Sequence, residues 1–257
     1  MTQAERLTFL IEYLISENKE LKSLHIPVEE DARKRMLRSL MNIRPPKPVT
    51  KDFLHIQDEY LQVEKAEKGM ISLADIPFVK SGIYLWQGDI TRLSVDAIVN
   101  AANSAMLGCF VPCHGCIDNA IHSAAGIELR LECSRIMETQ KMEEPMGKAK
   151  ITRAYNLPCH YVLHTVGPII YGEVTQRDRD LLSDCYRSCL ELAAEYQLKS
   201  IAFCCISTGE FHFPNEEAAE IAIQTVKDYQ KKNPGDMGVI FNVFKDCDYK
   251  IYEQLLG

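Results

Sequence analysis

Four side chains suited to holding a metal crowd one stretch of this 257-residue chain. Asn100 to His122 reads NAANSAMLGCFVPCHGCIDNAIH, and within it lie Cys109, Cys113, His114 and Cys116. Three thiols and an imidazole so close together match zinc's preference for sulfur and nitrogen donors. Ligation requires thiolates, and a helix start read near Ile117 favours them. Buried cysteine is an ordinary small hydrophobe, but clustering beside a histidine and two glycines is unlike core packing.

Two other chemistries share part of this pattern. Pro112-Cys113-x-x-Cys116 matches the cysteine half of zinc nucleobase deaminases, whose other half is H-x-E. No H-x-E occurs here: His25 leads to Pro27 and His55 to Gln57. That reading lacks its general acid/base and falls. A CxxC thiol–disulfide centre explains Cys113 and Cys116 but leaves Cys109 and His114 without a role. It also expects the motif soon after a strand, without the long NAANSAMLG excursion.

Two further loops carry weaker signals. Ser207-Thr-Gly-Glu-Phe-His-Phe-Pro214 follows an apolar run and precedes a helical pattern, a setting in which backbone N–H groups can receive a phosphate. A plain strand-to-helix turn explains the same residues. Gln87-Gly-Asp89-Ile90-Thr91 also follows an apolar run. Asp89 there caps a helix or accepts hydrogen bonds from the amino group of a base.

The elements that must position these loops alternate. Apolar runs at Ile83–Trp86, Ala97–Val99, Lys150–Tyr155, Tyr161–Thr165, Ser200–Ile206 and Val239–Val243 read as strands. Helical patterns lie between them near Ile117–Arg130, Asp178–Tyr196 and Glu216–Lys231. This order predicts an α/β fold with a largely parallel sheet between helices. Ligands then bind beyond the carboxyl ends of the strands, where the three loops lie. Residues 1–70 read as a helical N-terminal extension. Leu7, Leu10, Ile11, Leu14 and Ile15 form one helical stripe, and Ala32, Met36, Leu37, Leu40 and Met41 a second. Pro45, Pro46 and Pro48 stop the second helix. Thr50 caps a third, with Phe53, Ile56, Tyr60 and Leu61 inward and Gln57, Asp58 and Glu59 facing water. The extension is expected to pack as an appendage without chemistry of its own. Glu64 to Pro77 reads as a linker, and residues 71–257 as the main domain.

Composition narrows the function classes. There are 29 Lys+Arg against 36 Asp+Glu, a formal charge of -7. Nucleic-acid binding through phosphates needs a basic face, so no nucleic-acid partner is expected. No stretch approaches the ~20 apolar residues of a membrane span, and the polar, acid-containing N-terminus is not a signal peptide. A cytoplasmic protein is expected, so its ten cysteines are read as thiols rather than disulfides. Cys133, Cys185, Cys189, Cys204 and Cys205 are read as core thiols, and no partner is named for Cys159 and Cys247.

Taken together, the loops resemble a macrodomain, the ADP-ribose-binding fold. The matching residues are Gly88-Asp89-Ile90-Thr91, Ala97-Ile-Val-Asn-Ala-Ala-Asn103, Asp118-Asn-Ala-Ile-His122 with Ala124-Ala-Gly126, His164-Thr-Val-Gly-Pro168, and Ile206-Ser-Thr-Gly209 with Phe213-Pro214. They run in order from about Ile83 to the C-terminus, and five motifs in register weigh far more than one. The hydrolase-type macrodomains, which remove ADP-ribose from proteins, are the most similar. Those usually carry a glycine run before the catalytic Asp. Gly108-Cys-Phe-Val-Pro-Cys-His-Gly-Cys116 stands in its place, which resembles the zinc-containing subgroup of microbial protein-ADP-ribose hydrolases, whose members also carry a helical N-terminal extension.

The resemblance implies one Zn2+ held by two Cys and one His, with a fourth position open toward the ligand. Cys109, His114 and Cys116 are the expected set, because adjacent side chains such as Cys113 and His114 diverge; Cys113 is the alternative to Cys109. The resemblance further implies that Asp89 binds the adenine amino group, with a backbone contact from Ile90. Ser207, Thr208, Gly209, Glu210 and Phe211 are to wrap the diphosphate through N–H groups. Cys116, Ile117, Asp118 and Asn119 are to line the ligand, with Asn103 on the distal ribose. Asp118 is to orient or activate a water or a ribose hydroxyl, while zinc acts as Lewis acid or as water activator. Taken singly, Asp118 reads as a helix cap and Asn103 as a turn residue, and His122 is expected to pack or cap. The implied function is zinc-dependent hydrolysis of ADP-ribose from mono-ADP-ribosylated protein side chains, with a non-catalytic ADP-ribose reader as the alternative. For this subgroup the resemblance also implies a lipoyl-carrier-like substrate modified by a sirtuin-type transferase.

Overall fold

The computed structural model describes residues 1–235 and 237–257. Three helices come first: α1 (Gln3–Ser16), α2 (Glu30–Ile43) and α3 (Lys51–Lys68). Thr2 starts α1 with a capping box, its hydroxyl receiving the Glu5 N–H while the Glu5 carboxylate receives the Thr2 N–H. Thr50 Oγ1 caps α3 through the Phe53 N–H at 3.2 Å. The stripes of these helices meet in a cluster of their own, built from Leu7, Leu10, Ile11, Leu14, Leu37, Leu40, Met41, Phe53 and Tyr60. Ile127 from the main domain completes it. Burying each such side chain contributes about 1.5–3 kcal/mol.

The rest of the chain runs β1 (Ile71–Ser72), β2 (Phe78–Lys80), β3 (Ile83–Gln87), β4 (Leu93–Ser94), β5 (Ala97–Ala101), α4 (Ile117–Ala125), α5 (Ile127–Gln140), β6 (Ala149–Arg153), β7 (Tyr161–Thr165), α6 (Gln176–Glu195), β8 (Ser200–Phe203), α7 (Asn215–Lys232), β9 (Gly238–Val243) and α8 (Asp246–Leu256). Seven strands form one sheet in the order β2-β3-β9-β8-β5-β7-β6. The five central strands are parallel, and the two edge strands pair antiparallel. β8 and β9 are buried along their whole length, as strands covered on both faces must be. Helices α6, α7 and α8 pack side by side, while α4 and α5 pack on β5 and β6. This is the mixed, largely parallel α/β architecture the sequence pattern predicts. No helix among the described residues is long and apolar enough to cross a membrane.

Three expectations need correction. The helical pattern Ile117–Arg130 is two helices, broken at Gly126, whose φ of +95° suits glycine. The segment read as a linker begins inside α3 and continues through β1, which pairs with β4. Gln57 does not face water: it is 1% exposed, and its Oε1 accepts the Ile127 N–H at 2.9 Å. It thereby satisfies a donor at the start of α5 that has no partner within the helix. Helix α8 went unread because Asp246, Asp248 and Lys250 interrupt its apolar spacing. Replacing Gln57 with Ala strands a buried N–H, so Gln57→Ala is expected to cost about 1–3 kcal/mol in urea unfolding. An unchanged midpoint would show that water replaces the cap.

Candidate active site

The carboxyl ends of β5, β7 and β8 open onto the loops singled out by sequence. Asn100, near the end of β5, is fully buried. Its Nδ2 donates to Asp118 Oδ1 at 2.8 Å and lies 3.2 Å from His164 Nδ1. Asn103 Nδ2 lies 3.3 Å from both Asp118 Oδ2 and the Gly108 carbonyl. Two amides thus fix the Asp118 carboxylate in the second position of α4. Burial pushes its pKa up to about 6, opposed by the Asn100 hydrogen bond and the charge of Arg130. His122, one turn further along α4, places Nε2 3.5 Å from Asp118 Oδ1. Neither His122 ring nitrogen makes a well-formed hydrogen bond. Burial drives its pKa well below the usual histidine value, so this contact is not an ion pair. Burial also takes His164 down to about 3. The ligand atoms of His122, Cys133 and His164 lie within 4.8 Å of one another, but Thr152 Oγ1, 2.9 Å from Nε2, and the Asn100 amide already occupy both His164 nitrogens. The group is therefore explained as buried polar packing.

The ligand atoms of Cys109, His114 and Cys116 also lie within 4.8 Å of one another. Cys113 does not join them. Its φ of +50° turns the side chain toward α2, where Sγ lies 3.2 Å from Ser39 Oγ and 3.4 Å from the Arg35 carbonyl. The His114 Nδ1 is buried with no hydrogen-bond partner among the described residues, while Nε2 lies 3.7 Å from Glu210 Oε1. One nitrogen left for a metal and the other set against a carboxylate is the usual arrangement of a metal-ligating histidine. Cys116 is the N-cap of α4 and receives the Asn119 N–H. Burial nevertheless pushes its thiol up to about 12, so a thiolate here calls for a cation. The donor set, the orphaned nitrogen and the convergence fit zinc.

Asn119, expected to line the ligand, has its amide committed to protein partners. Its Nδ2 donates to the Val111 carbonyl at 3.0 Å, and its Oδ1 accepts from Arg38 of α2 at 2.7 Å. Ile117 is half-buried and packs against the core. On the far side, the Ser207–Phe211 loop leaves the N–H groups of Ser207, Gly209, Glu210 and Phe211 without an acceptor among the described residues. Ser207 adopts a φ of +64°. Gly167 lies so close that a Cβ there would come within 2.0 Å of Ser207 Oγ, which explains the glycine in His164-Thr-Val-Gly-Pro168. Asp89 uses Oδ1 to receive the Thr91 N–H at 3.0 Å and the Thr91 hydroxyl at 2.7 Å, so it caps a short 3-10 turn. Its Oδ2 sits 4.0 Å from Lys68 Nζ at the cleft rim. Ile90 is buried beside it.

Sequence reasoning passed over two arginines that frame the loop carrying Cys109, His114 and Cys116. Arg130 is buried, and its guanidinium donates to the carbonyls of Leu107 and Cys109 on the loop and of Met41, Asn42 and Arg44 at the end of α2. Arg38 reaches the loop from α2. The one local signal was a charged residue inside the apolar spacing of Ile127-Glu-Leu-Arg130-Leu.

Comparison with known proteins identifies the family. A family model for the macro domain matches residues 99–222. The chain is 57% identical over 261 aligned positions to a protein-ADP-ribose hydrolase of Treponema medium, covering 100% of both chains. It is 46% identical over 251 positions to a protein-ADP-ribose hydrolase of Staphylococcus aureus strain MSSA476, covering 97% of this chain and 94% of that one. Among solved structures, the Trypanosoma brucei macrodomain in complex with ADP-ribose matches with a TM-score of 0.66 and 31% identity, over 85% of this chain and 95% of that one. The Oceanobacillus iheyensis macrodomain with ADP matches with a TM-score of 0.63 and 38% identity, over 70% and 93%.

The cysteines divide by environment. Cys133, Cys159, Cys185, Cys189 and Cys204 are buried, Cys205 is partly so, and Cys247 is exposed. Burial pushes the Cys133, Cys159 and Cys204 thiols up to about 12. Iodoacetamide treatment of the native protein, followed by peptide mass spectrometry, should label Cys247 first and leave Cys133, Cys159 and Cys204 unmodified until the chain unfolds. Early labelling of these three would contradict the packing.

Proposed function

The chain belongs to the macro-domain family of protein-ADP-ribose hydrolases, and from that premise we propose that it hydrolyses the bond between the distal ribose of ADP-ribose and a protein side chain, with one zinc in the Cys109–His114–Cys116 site. The observation that carries this reading is the placement of an oriented carboxylate, Asp118, two residues from a three-donor metal set and across the cleft from a loop of unsatisfied N–H groups.

The residues divide the work. Ser207, Gly209, Glu210 and Phe211 offer N–H groups to the diphosphate, with Thr208 in the same turn. A diphosphate held this way needs no lysines, which suits a chain of net charge -7. Asp89 turns its outer oxygen to the adenine amino group, over the Ile90 backbone. Asn103, within reach of Asp118, positions the distal ribose. Asp118, held by Asn100 and Asn103, orients a water or a ribose hydroxyl and receives its proton. When bound, zinc supplies Lewis-acid charge beside the distal ribose. Five buried thiols suit a reducing compartment, the basis for reading the protein as cytoplasmic. A lipoyl-carrier-like substrate modified by a sirtuin-type transferase is proposed on the family resemblance alone.

Incubation with a mono-ADP-ribosylated protein should release ADP-ribose, and the purified chain should carry about one zinc. Asp118→Ala is expected to lower turnover by about 10²–10⁴-fold while the chain still binds ADP-ribose. Cys116→Ala is expected to lose both zinc and turnover. Binding without release would identify a reader, and full turnover by the metal-free chain would remove zinc from the reaction.

A further inference from the structure

We propose that Arg38 makes the N-terminal helices part of the metal site: it is a positioning residue that holds the loop Val111–Asn119 in its ligating shape. This rests on the zinc reading above, but it concerns a residue outside the Cys109–His114–Cys116 donor set. Arg38 Nη2 donates to Asn119 Oδ1 at 2.7 Å and to the His114 carbonyl at 3.2 Å, and Nε donates to the same Asn119 oxygen at 3.1 Å. Asn119 is fully buried and passes the restraint to the Val111 carbonyl at 3.0 Å. One guanidinium therefore fixes the loop before His114, at His114 and after Cys116. Arg38 has no carboxylate partner within 4 Å among the described residues, so its donors are committed to this loop.

The same helix keeps the unused thiol away. Asn42 Oδ1 receives the Cys113 N–H at 2.9 Å, and the Cys113 Sγ meets Ser39 and the Arg35 carbonyl on α2. With Cys113 drawn outward, Cys109, His114 and Cys116 converge. The loop makes few regular backbone hydrogen bonds of its own, one being His114 N–H to the Val111 carbonyl at 3.2 Å. Unrestrained, it would lose its conformational freedom on binding metal; framed by α2, it has already lost it on folding. Contacts behind a metal ligand typically change affinity 10–100-fold when removed. Residues 1–70 then act as the outer frame of the site rather than as an appendage.

The test is a zinc competition with a chromophoric chelator on the full chain, comparing wild type, Arg38→Ala, Arg38→Lys, Asn119→Ala and the double Ala variant. Arg38→Ala should weaken zinc binding about 10–100-fold. Lys, which lacks the planar fork, should restore a part of that at most. The double variant should be no worse than the more affected single one, because both break one connection. The urea midpoint of metal-free Arg38→Ala and its affinity for ADP-ribose should stay near those of the metal-free wild type. Wild-type zinc affinity in Arg38→Ala would overturn the assignment. So would a loss that appears only with a lowered midpoint and is equal in Arg38→Lys, because that marks a general loss of fold. A wild-type chain that takes up no zinc would instead overturn the metal reading, and this assignment with it.

Discussion

A buried cation helps to tie the N-terminal helices to the rest of the chain. The Arg130 guanidinium is enclosed between α5, the end of α2 and the loop that carries Cys109, and it meets backbone carbonyls rather than an acid. Charge in such a place is costly unless every donor is satisfied. The carbonyls at the end of α2 suit it doubly, since they lack partners within the helix and carry the negative end of its dipole. Phe110 of the loop lies over the guanidinium, with 4.2 Å from ring centroid to Cζ. Moving α2 would strand this charge, and moving the loop would as well, so the N-terminal helices and this loop share one position.

On that frame the sheet supplies direction. Five parallel strands aim their carboxyl ends at one edge, and the loops that follow β3, β5, β7 and β8 gather there. Asn100 on β5 sits beside His164 on β7 and grips Asp118 on α4. Gly167 after β7 lets Ser207 after β8 approach. From the opposite loop Glu210 reaches His114, so the Ser207–Phe211 loop and the Cys109–Cys116 loop meet across the cleft.

The parts of this arrangement that depend on short-range pattern could be read from sequence. Strands β3, β5, β7 and β9 are apolar runs of the right length, and Thr50 sits where a helix starts. The crowding of Cys109, Cys113, His114 and Cys116 in one loop pointed to metal chemistry, and the ligand atoms of three of them converge. What escaped depends on contacts distant in sequence. Gln57 lies on the polar side of its own helix, yet that side faces the start of α5. Arg38 and Arg130 look like solvated charges, and the contacts by which they join α2 to the rest of the chain span 76 to 89 positions. Asn119 lies inside a motif associated with ligand binding, but the first turn of α4 rotates its amide toward α2 while Asp118 faces Asn100. Adjacent residues on a helix point in different directions, and without the packing there was no way to know which one the cleft receives.

The account can be tested most directly by a crystal structure of the ADP-ribose complex, with anomalous data collected on both sides of the zinc absorption edge. The expected result is one anomalous peak bounded by Cys109 Sγ, His114 Nδ1 and Cys116 Sγ, with Cys113 outside it. The distal ribose should lie between that peak and Asp118, and the diphosphate should lie against the N–H groups of Ser207–Phe211. A peak elsewhere, or a ligand whose distal ribose lies away from Asp118, would contradict it.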